Sequence, residues 1–161
     1  MTNIPFSAEE TLKIAIEIEE NGKEFYEEMV TKTEDTEIAD VFKDLAVQEV
    51  KHRDTFQEML GEAEVERGED LSSLLYGKLE DSYLQALADS KIFTPANENI
   101  QEASRADSRD ELLTIAISLE KDTILYYYEI LEHTTNSEDQ GLIKEVIEEE
   151  KKHVKRLSEL L

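Results

Sequence analysis

The chain has 161 residues, enough for one domain with a substantial core, and its 40 acidic residues against 17 basic ones give a formal charge of −23. That balance argues against nucleic acid and anionic membrane as partners, since both select a basic surface. The absence of cysteine removes disulfides, thiolate zinc sites, iron–sulfur clusters and a cysteine nucleophile.

Apolar residues make up 39% of the chain and fall at regular intervals, which argues against disorder. No apolar run is long enough to span a bilayer. The start, Met1-Thr2-Asn3-Ile4-Pro5, lacks the basic region and apolar core of a secretion signal, so a cytoplasmic location is expected. Two prolines and five glycines interrupt the chain, which favours long helices.

Ser7-Ala8-Glu9-Glu10 reads as a capping box opening a helix from about residue 8 to about 32. Its apolar seam is Leu12, Ala15, Glu19, Gly22, Tyr26 and Met29, with spacings alternating between three and four. A second helix is expected from near Thr36 to near Leu60, with Gly61 suited to the position just past its end. Its seam is Ile38, Phe42, Leu45, Glu49, His52, Phe56 and Met59. Residues 61–107 read as a long connection. Within it, Glu62 to Asp70 is loop, Leu71 to about Ser90 is helical in pattern, and Thr94-Pro95 opens a short helix to about Arg105. Ser108-Arg109-Asp110-Glu111 is a second capping box, followed by the seam Leu113, Ala116, Glu120, Thr123, Tyr127 and Ile130. Ser137-Glu138-Asp139-Gln140 opens the fourth helix, whose seam is Ile143, Val146, Glu150, His153, Leu157 and Leu160.

Residues 7–60 align without a gap onto residues 108–161, each position recurring 101 residues on. Ser7, Glu10, Leu12, Ile14, Ala15, Ile16, Glu19, Tyr26, Glu49, His52 and Leu60 all have identical partners. This is an internal duplication of a helical hairpin. The expected architecture is therefore all-α: one domain over residues 1–161, made of a first hairpin (7–60), a helical crossover (61–107) and a second hairpin (108–161), forming a four-helix bundle of the ferritin-like kind.

Residues three apart share one face of a helix, so Glu49 with His52, and Glu150 with His153, can each grip one metal ion. Glu19 and Glu120 add one carboxylate per half. Together they make the ligand set of a carboxylate-bridged two-metal bundle. Four buried carboxylates without counter-charge would be strongly unfavourable, and two divalent cations cancel them. Imidazole and carboxylate together suit iron or manganese. A single Glu-x-x-His carries little weight in so acidic a chain, because an acid three residues before a His arises by chance about one time in four. His133, with Ile130 in that position, shows the other outcome. The weight lies in six such residues on core seams repeating at one offset. Tyr26 and Tyr127 stand two turns after Glu19 and Glu120. Each is either a core aromatic with a locally bonded hydroxyl or a donor to a ligand carboxylate. In the run Tyr126-Tyr127-Tyr128, neighbours face different ways, so at most Tyr127 reaches the site. The acidic surface, Glu148-Glu149-Glu150 included, reads mostly as a solvated face.

At these residues the chain resembles the rubrerythrin branch of the ferritin-like superfamily. The carrying motifs are Ala15-Ile16-Glu17-Ile18-Glu19 with Phe25-Tyr26, Leu45-Ala46 with Glu49-x-x-His52, and their counterparts in the second half. The resemblance covers residues 7–60 and 108–161. It implies two iron ions, with manganese or a mixed pair as alternatives, at a non-haem site that reacts with hydrogen peroxide or dioxygen. It implies Glu19 and Glu120 as terminal ligands, Glu49 and Glu150 as bridges, and His52 and His153 as caps on one metal each. Two departures bear on function. Rubrerythrins usually carry a rubredoxin domain with four cysteines, so here electrons are expected from a separate donor such as a rubredoxin-like protein. Their third helix also carries an extra carboxylate three residues after the ligand Glu, where this chain has Thr123, matched by Gly22 in the first half. The two metals are therefore expected to be near-equivalent, and ferroxidase activity or metal storage without peroxide turnover becomes the alternative function. Assembly as a homodimer is also expected.

Overall fold

In the computed structural model, residues 8–66 and 96–161 are described, and five helices are found among them. They are α1 (Ala8–Lys32), α2 (Thr36–Glu66), α3 (Ala96–Ser104), α4 (Arg109–His133) and α5 (Ser137–Ser158). No helix among the described residues is long and apolar enough to cross a membrane.

The helix starts follow side-chain chemistry. At the head of α2 the Asp35 carboxylate accepts from the backbone N–H groups of Glu37 and Ile38, at 3.0 and 3.1 Å. At the head of α4 the Ser108 hydroxyl accepts from the Glu111 N–H at 3.1 Å. At the head of α5 the cap is Asn136, one residue before the expected Ser137, and its side-chain oxygen takes the N–H groups of Glu138 and Asp139. These acceptors satisfy donors that the helix itself leaves without partners. Asp35 and Asn136 hold equivalent places in the two repeats, so both hairpins turn at the same point.

Two expectations about α2 fail. The helix does not stop before Gly61 but runs on to Glu66, taking in the start of the stretch expected as loop from Glu62 to Asp70. A mid-helix glycine costs only about 1 kcal/mol relative to alanine, and Glu62-Ala63-Glu64 are helix-forming residues that offset it. The Ser7 cap, the rest of that loop, the helix expected from Leu71 to about Ser90 and the Thr94-Pro95 start lie outside the described residues. The short helix expected after Thr94-Pro95 is α3, which ends at Ser104.

Helices α1 and α2 pack along their length as one hairpin, α4 and α5 as the other, and α3 lies against α1 and α4. Every seam residue named from periodicity is buried, except Leu160, which is half-buried. The seams meet in one core that includes Phe42, Phe56, Tyr26 and Tyr127, all with no exposed surface. A second inward row, with Ile18, Phe25, Leu119 and Tyr126, widens the buried stripe of α1 and α4. Arg109 ties the hairpins together at one end. Its guanidinium bonds Asp35 and Glu37 at the head of α2 and donates to the Leu160 carbonyl at the end of the chain.

Candidate metal centre

The seams of α1, α2, α4 and α5 carry their polar residues at one level of the bundle. Glu19, Glu49, His52, Glu120, Glu150 and His153 converge there, and none is more than 2% exposed. Each sits amid aliphatic and aromatic neighbours on its own helix, so the surrounding wall is apolar.

The six fall into two groups of four. One ligand atom from each of Glu19, Glu49, His52 and Glu150 lies within 4.8 Å of the others, and the same holds for Glu49, Glu120, Glu150 and His153. Glu49 and Glu150 belong to both groups. The imidazoles lie nearly parallel, with centroids 5.5 Å apart and planes 22° apart. Both turn Nδ1 inward: that of His52 is 3.0 Å from Glu150 and 3.6 Å from Glu19, and that of His153 is 2.8 Å from Glu150 and 3.6 Å from Glu120.

Five atoms in this cluster make no well-directed hydrogen bond, the close approach of His153 Nδ1 to Glu150 Oε2 notwithstanding: Glu19 Oε2, Glu49 Oε1, Glu120 Oε2, Glu150 Oε2 and His153 Nδ1. A buried polar atom without a partner costs about 1–3 kcal/mol, and more when charged. Unpaired oxygen and nitrogen atoms from all four of these helices, converging in the buried core, fit what two divalent cations require, and the carboxylate and imidazole donors suit iron or manganese.

In the absence of metal the acids must divide protons among themselves. Burial pushes the Glu49 carboxyl well above its usual value, and repulsion from Glu150, Glu19 and Glu120 pushes it further. Glu150 rises to about 7 through burial and then through repulsion from Glu120 and Glu19. For Glu19, burial is outweighed by a hydrogen bond from Glu49 and the charge of His52, which hold it at about 2. For Glu120, burial is outweighed by the adjacent, positively charged His153, and its value falls. Burial also opposes charge on the imidazoles, but the facing carboxylates prevail: His52 is raised well above its usual value and His153 rises to about 10.

Both tyrosines reach the site, and they do so crosswise. Tyr26 on α1 donates to Glu120 on α4, and Tyr127 on α4 donates to Glu19 on α1 at 2.5 Å. Burial and then the neighbouring carboxylate raise both hydroxyls well above their usual value, so they remain donors. Tyr128 is 42% exposed and plays no part.

Sequence reasoning missed two residues, Gln48 and Glu149. The outward nitrogen of His52 donates to Glu149 at 2.7 Å, and that of His153 donates to the Gln48 side-chain oxygen at 2.9 Å. Both residues stand immediately before a cluster glutamate and occupy the same place in the repeat. A search for identical pairs passes over them because they differ. Gly22 and Thr123 are likewise matched and unlike. A Cβ on Gly22 would stand 3.4 Å from the Glu49 carboxyl carbon, at ordinary van der Waals contact, so this position lies directly beside that side chain. The Thr123 hydroxyl is turned back to the Leu119 carbonyl at 3.0 Å.

The model of the rubrerythrin family matches residues 10–161 of the chain. A chain from Thermotoga maritima, whose crystal structure is described as that of a ferritin-like diiron-carboxylate protein, is 29% identical, with a TM-score of 0.70 over 97% of this chain and 95% of that one. Among curated proteins there is no significant match.

Proposed function

The chain belongs to the rubrerythrin family, and from that premise we propose that it is a cytoplasmic non-haem di-iron oxidoreductase that reduces hydrogen peroxide or dioxygen with electrons from a separate donor protein. The observation that carries this reading is the division of six buried side chains into two groups of four that share Glu49 and Glu150. In it, Glu19 with His52 and Glu120 with His153 would hold one iron each, and Glu49 and Glu150 would be shared between them. Bound iron would supply the electron pair that, with two protons, converts one hydrogen peroxide to two waters.

The protein's own contribution is positional and electrostatic. Four carboxylates cancel the charge of two divalent cations, so the loaded core is neutral and escapes the large penalty of unpaired buried charge. The crossed tyrosines fix the rotamers of Glu19 and Glu120 and link each hairpin to the other's terminal carboxylate. Phe42 packs against Tyr26 and Phe56 against Tyr127, so the two tyrosines that bond the terminal carboxylates are themselves backed by buried aromatic rings. An acid-rich surface would favour a donor with a basic docking patch.

A second reading, iron oxidation and storage without turnover, draws support from Thr123 and Gly22. Neither can offer a charged ligand where other rubrerythrins place an extra carboxylate, and the Thr123 hydroxyl is already engaged. The experiment that separates the two readings mixes the reduced, iron-loaded protein with peroxide in the presence of excess reduced rubredoxin. Donor oxidation continuing through many equivalents of peroxide supports the enzyme. A single oxidation event per iron pair, with none after it, would replace the enzyme reading by storage.

A further inference from the structure

The two halves of the site match in their inward-facing side chains but not in what stands behind the imidazoles. Gln48 and Glu149 occupy one position of the repeat, each one residue before a cluster glutamate, and each accepts a hydrogen bond from the outward nitrogen of the histidine on the opposite hairpin. Behind His52 the acceptor is a carboxylate at 2.7 Å. Behind His153 it is an amide oxygen at 2.9 Å.

The amide's orientation is fixed from further out. The Gln48 side-chain nitrogen donates to Asp44 at 2.9 Å, and Asp44 is in turn bonded by Arg156. The oxygen is thereby left to face His153. The acidic charge at the end of this relay is matched by an arginine, so His153 is backed by a neutral dipole and a compensated ion pair. His52 is backed by the carboxylate directly.

An imidazole that donates one N–H to a carboxylate is a stronger base at its other nitrogen and is held more firmly in one tautomer and one ring orientation. A negative charge behind the ring also adds Coulomb attraction for a cation in front of it. Both effects act at the position formed by Glu19, Glu49, His52 and Glu150, and neither acts with equal strength at the position formed by Glu49, Glu120, Glu150 and His153.

We infer that Glu149 and Gln48 are positioning residues that make the two metal positions unequal, with the position at His52 the tighter and the first to fill. The inference rests on the two-metal reading given above. It departs from the equivalence expected from the inward-facing residues alone, and it assigns the difference to the pair that breaks the repeat. The Glu149 side chain is 45% exposed, so screening places the effect at about tenfold in affinity, the low end of the 10–100-fold range for partners of this kind.

The test is calorimetric titration of the metal-free full-length protein with Mn²⁺. It is combined with anomalous diffraction from crystals grown with one equivalent, for the wild type, Glu149→Gln, Gln48→Glu and the Gln48→Glu/Glu149→Gln exchange. The wild type should bind two ions with constants about tenfold apart, the first at His52. Glu149→Gln should bring the constants within about threefold by weakening the first, and Gln48→Glu should do so by strengthening the second. The exchange variant keeps the composition and should restore the separation with occupancy reversed, so that the first ion lies at His153. A merely structural role for either residue would not reverse occupancy. Equal constants in the wild type, a first ion at His153 in the wild type, or an exchange variant that still fills His52 first would each overturn the inference, and the wild-type result needs no variant to fold. Two ions bound with equal affinity would leave the two-metal reading standing, whereas no ion in this cluster would remove both.

Discussion

Loading the metal-free protein with two divalent cations should release about four protons near pH 6 and about three near pH 8, because metal ligands must be deprotonated to bind. The count comes from the cluster itself. His52 and His153 are both raised above their usual values, the latter to about 10, so each carries a proton across this range. Glu49 is raised well above its usual value by burial and by three neighbouring acids, and holds a third. Glu150, raised to about 7, holds a fourth at the lower pH and has lost most of it at the higher. Glu19 and Glu120 are lowered and contribute none. At the lower pH the metal-free cluster is neutral, with two carboxylates against two imidazolium ions. The loaded cluster is neutral too, with four carboxylates against two divalent cations. At that pH the exchange leaves no net charge buried in either state. A release of four protons makes the combined free energy of binding both ions strengthen by about 5–6 kcal/mol per pH unit, at about 1.4 kcal/mol for each proton. Calorimetry with Mn²⁺ in pairs of buffers that differ in ionisation enthalpy measures the release at each pH. A release of one proton or fewer per ion pair, or a release that grows from the lower pH to the higher, would refute the proton arrangement.

The same shifts set the pH dependence of the empty fold. Glu150 is raised from 4.5 to about 7, so its contribution to stability is present below 4.5 and lost as pH rises through 7; that of His153, raised from 6.5 to about 10, is present below 6.5 and lost as pH rises through 10. Melting in chelator should therefore weaken steadily from mildly acid to alkaline pH and metal should remove the decline, whereas a metal-free melting temperature that rises over that window would contradict the shifts. Tyr127→Phe leaves Glu19 Oε1 buried without its donor and should lower metal-free stability by about 1–3 kcal/mol in urea unfolding, with a change under about 0.5 kcal/mol counting against the crossed hydrogen bond. Gly22→Ala places a methyl at ordinary contact distance from Glu49. It should raise stability by up to about 1 kcal/mol while two ions still bind, and loss of an ion would show that the space beside Glu49 is itself part of the site.

The four long helices and their seams were legible because three-and-four spacing survives every polar substitution at the site. Glu19 and Glu150 occupy core positions as regularly as Leu12 and Val146 do. The cluster was legible because the chain states it twice at one offset, and a lone Glu-x-x-His would not have separated itself from so acidic a background. Less was legible where the competing signals were close in strength. Thr134-Thr135-Asn136-Ser137 offers four residues of cap type in a row, and backbone geometry selects Asn136. Gly61 has the look of a helix end, but the residues beyond it carry the helix on to Glu66. Periodicity placed Tyr26 and Tyr127 on their own helices' inner faces. That each hydroxyl crosses to the other hairpin's glutamate depends on the depth at which the hairpins pack, which spacing along one helix does not encode. Glu149 reads as part of a solvated acidic face and Gln48 carries no signal of its own; both gain their meaning only from the histidines opposite.

The central claim, that these six side chains hold two metal ions, is tested most directly by anomalous diffraction from crystals of the iron-loaded protein. The account predicts two peaks about 3.5–4 Å apart. One lies among Glu19, Glu49, His52 and Glu150, and the other among Glu49, Glu120, Glu150 and His153, with every one of the six side chains turned toward them. A single peak, peaks only at the protein surface, or any of the six side chains turned to solvent in the loaded crystal would contradict it.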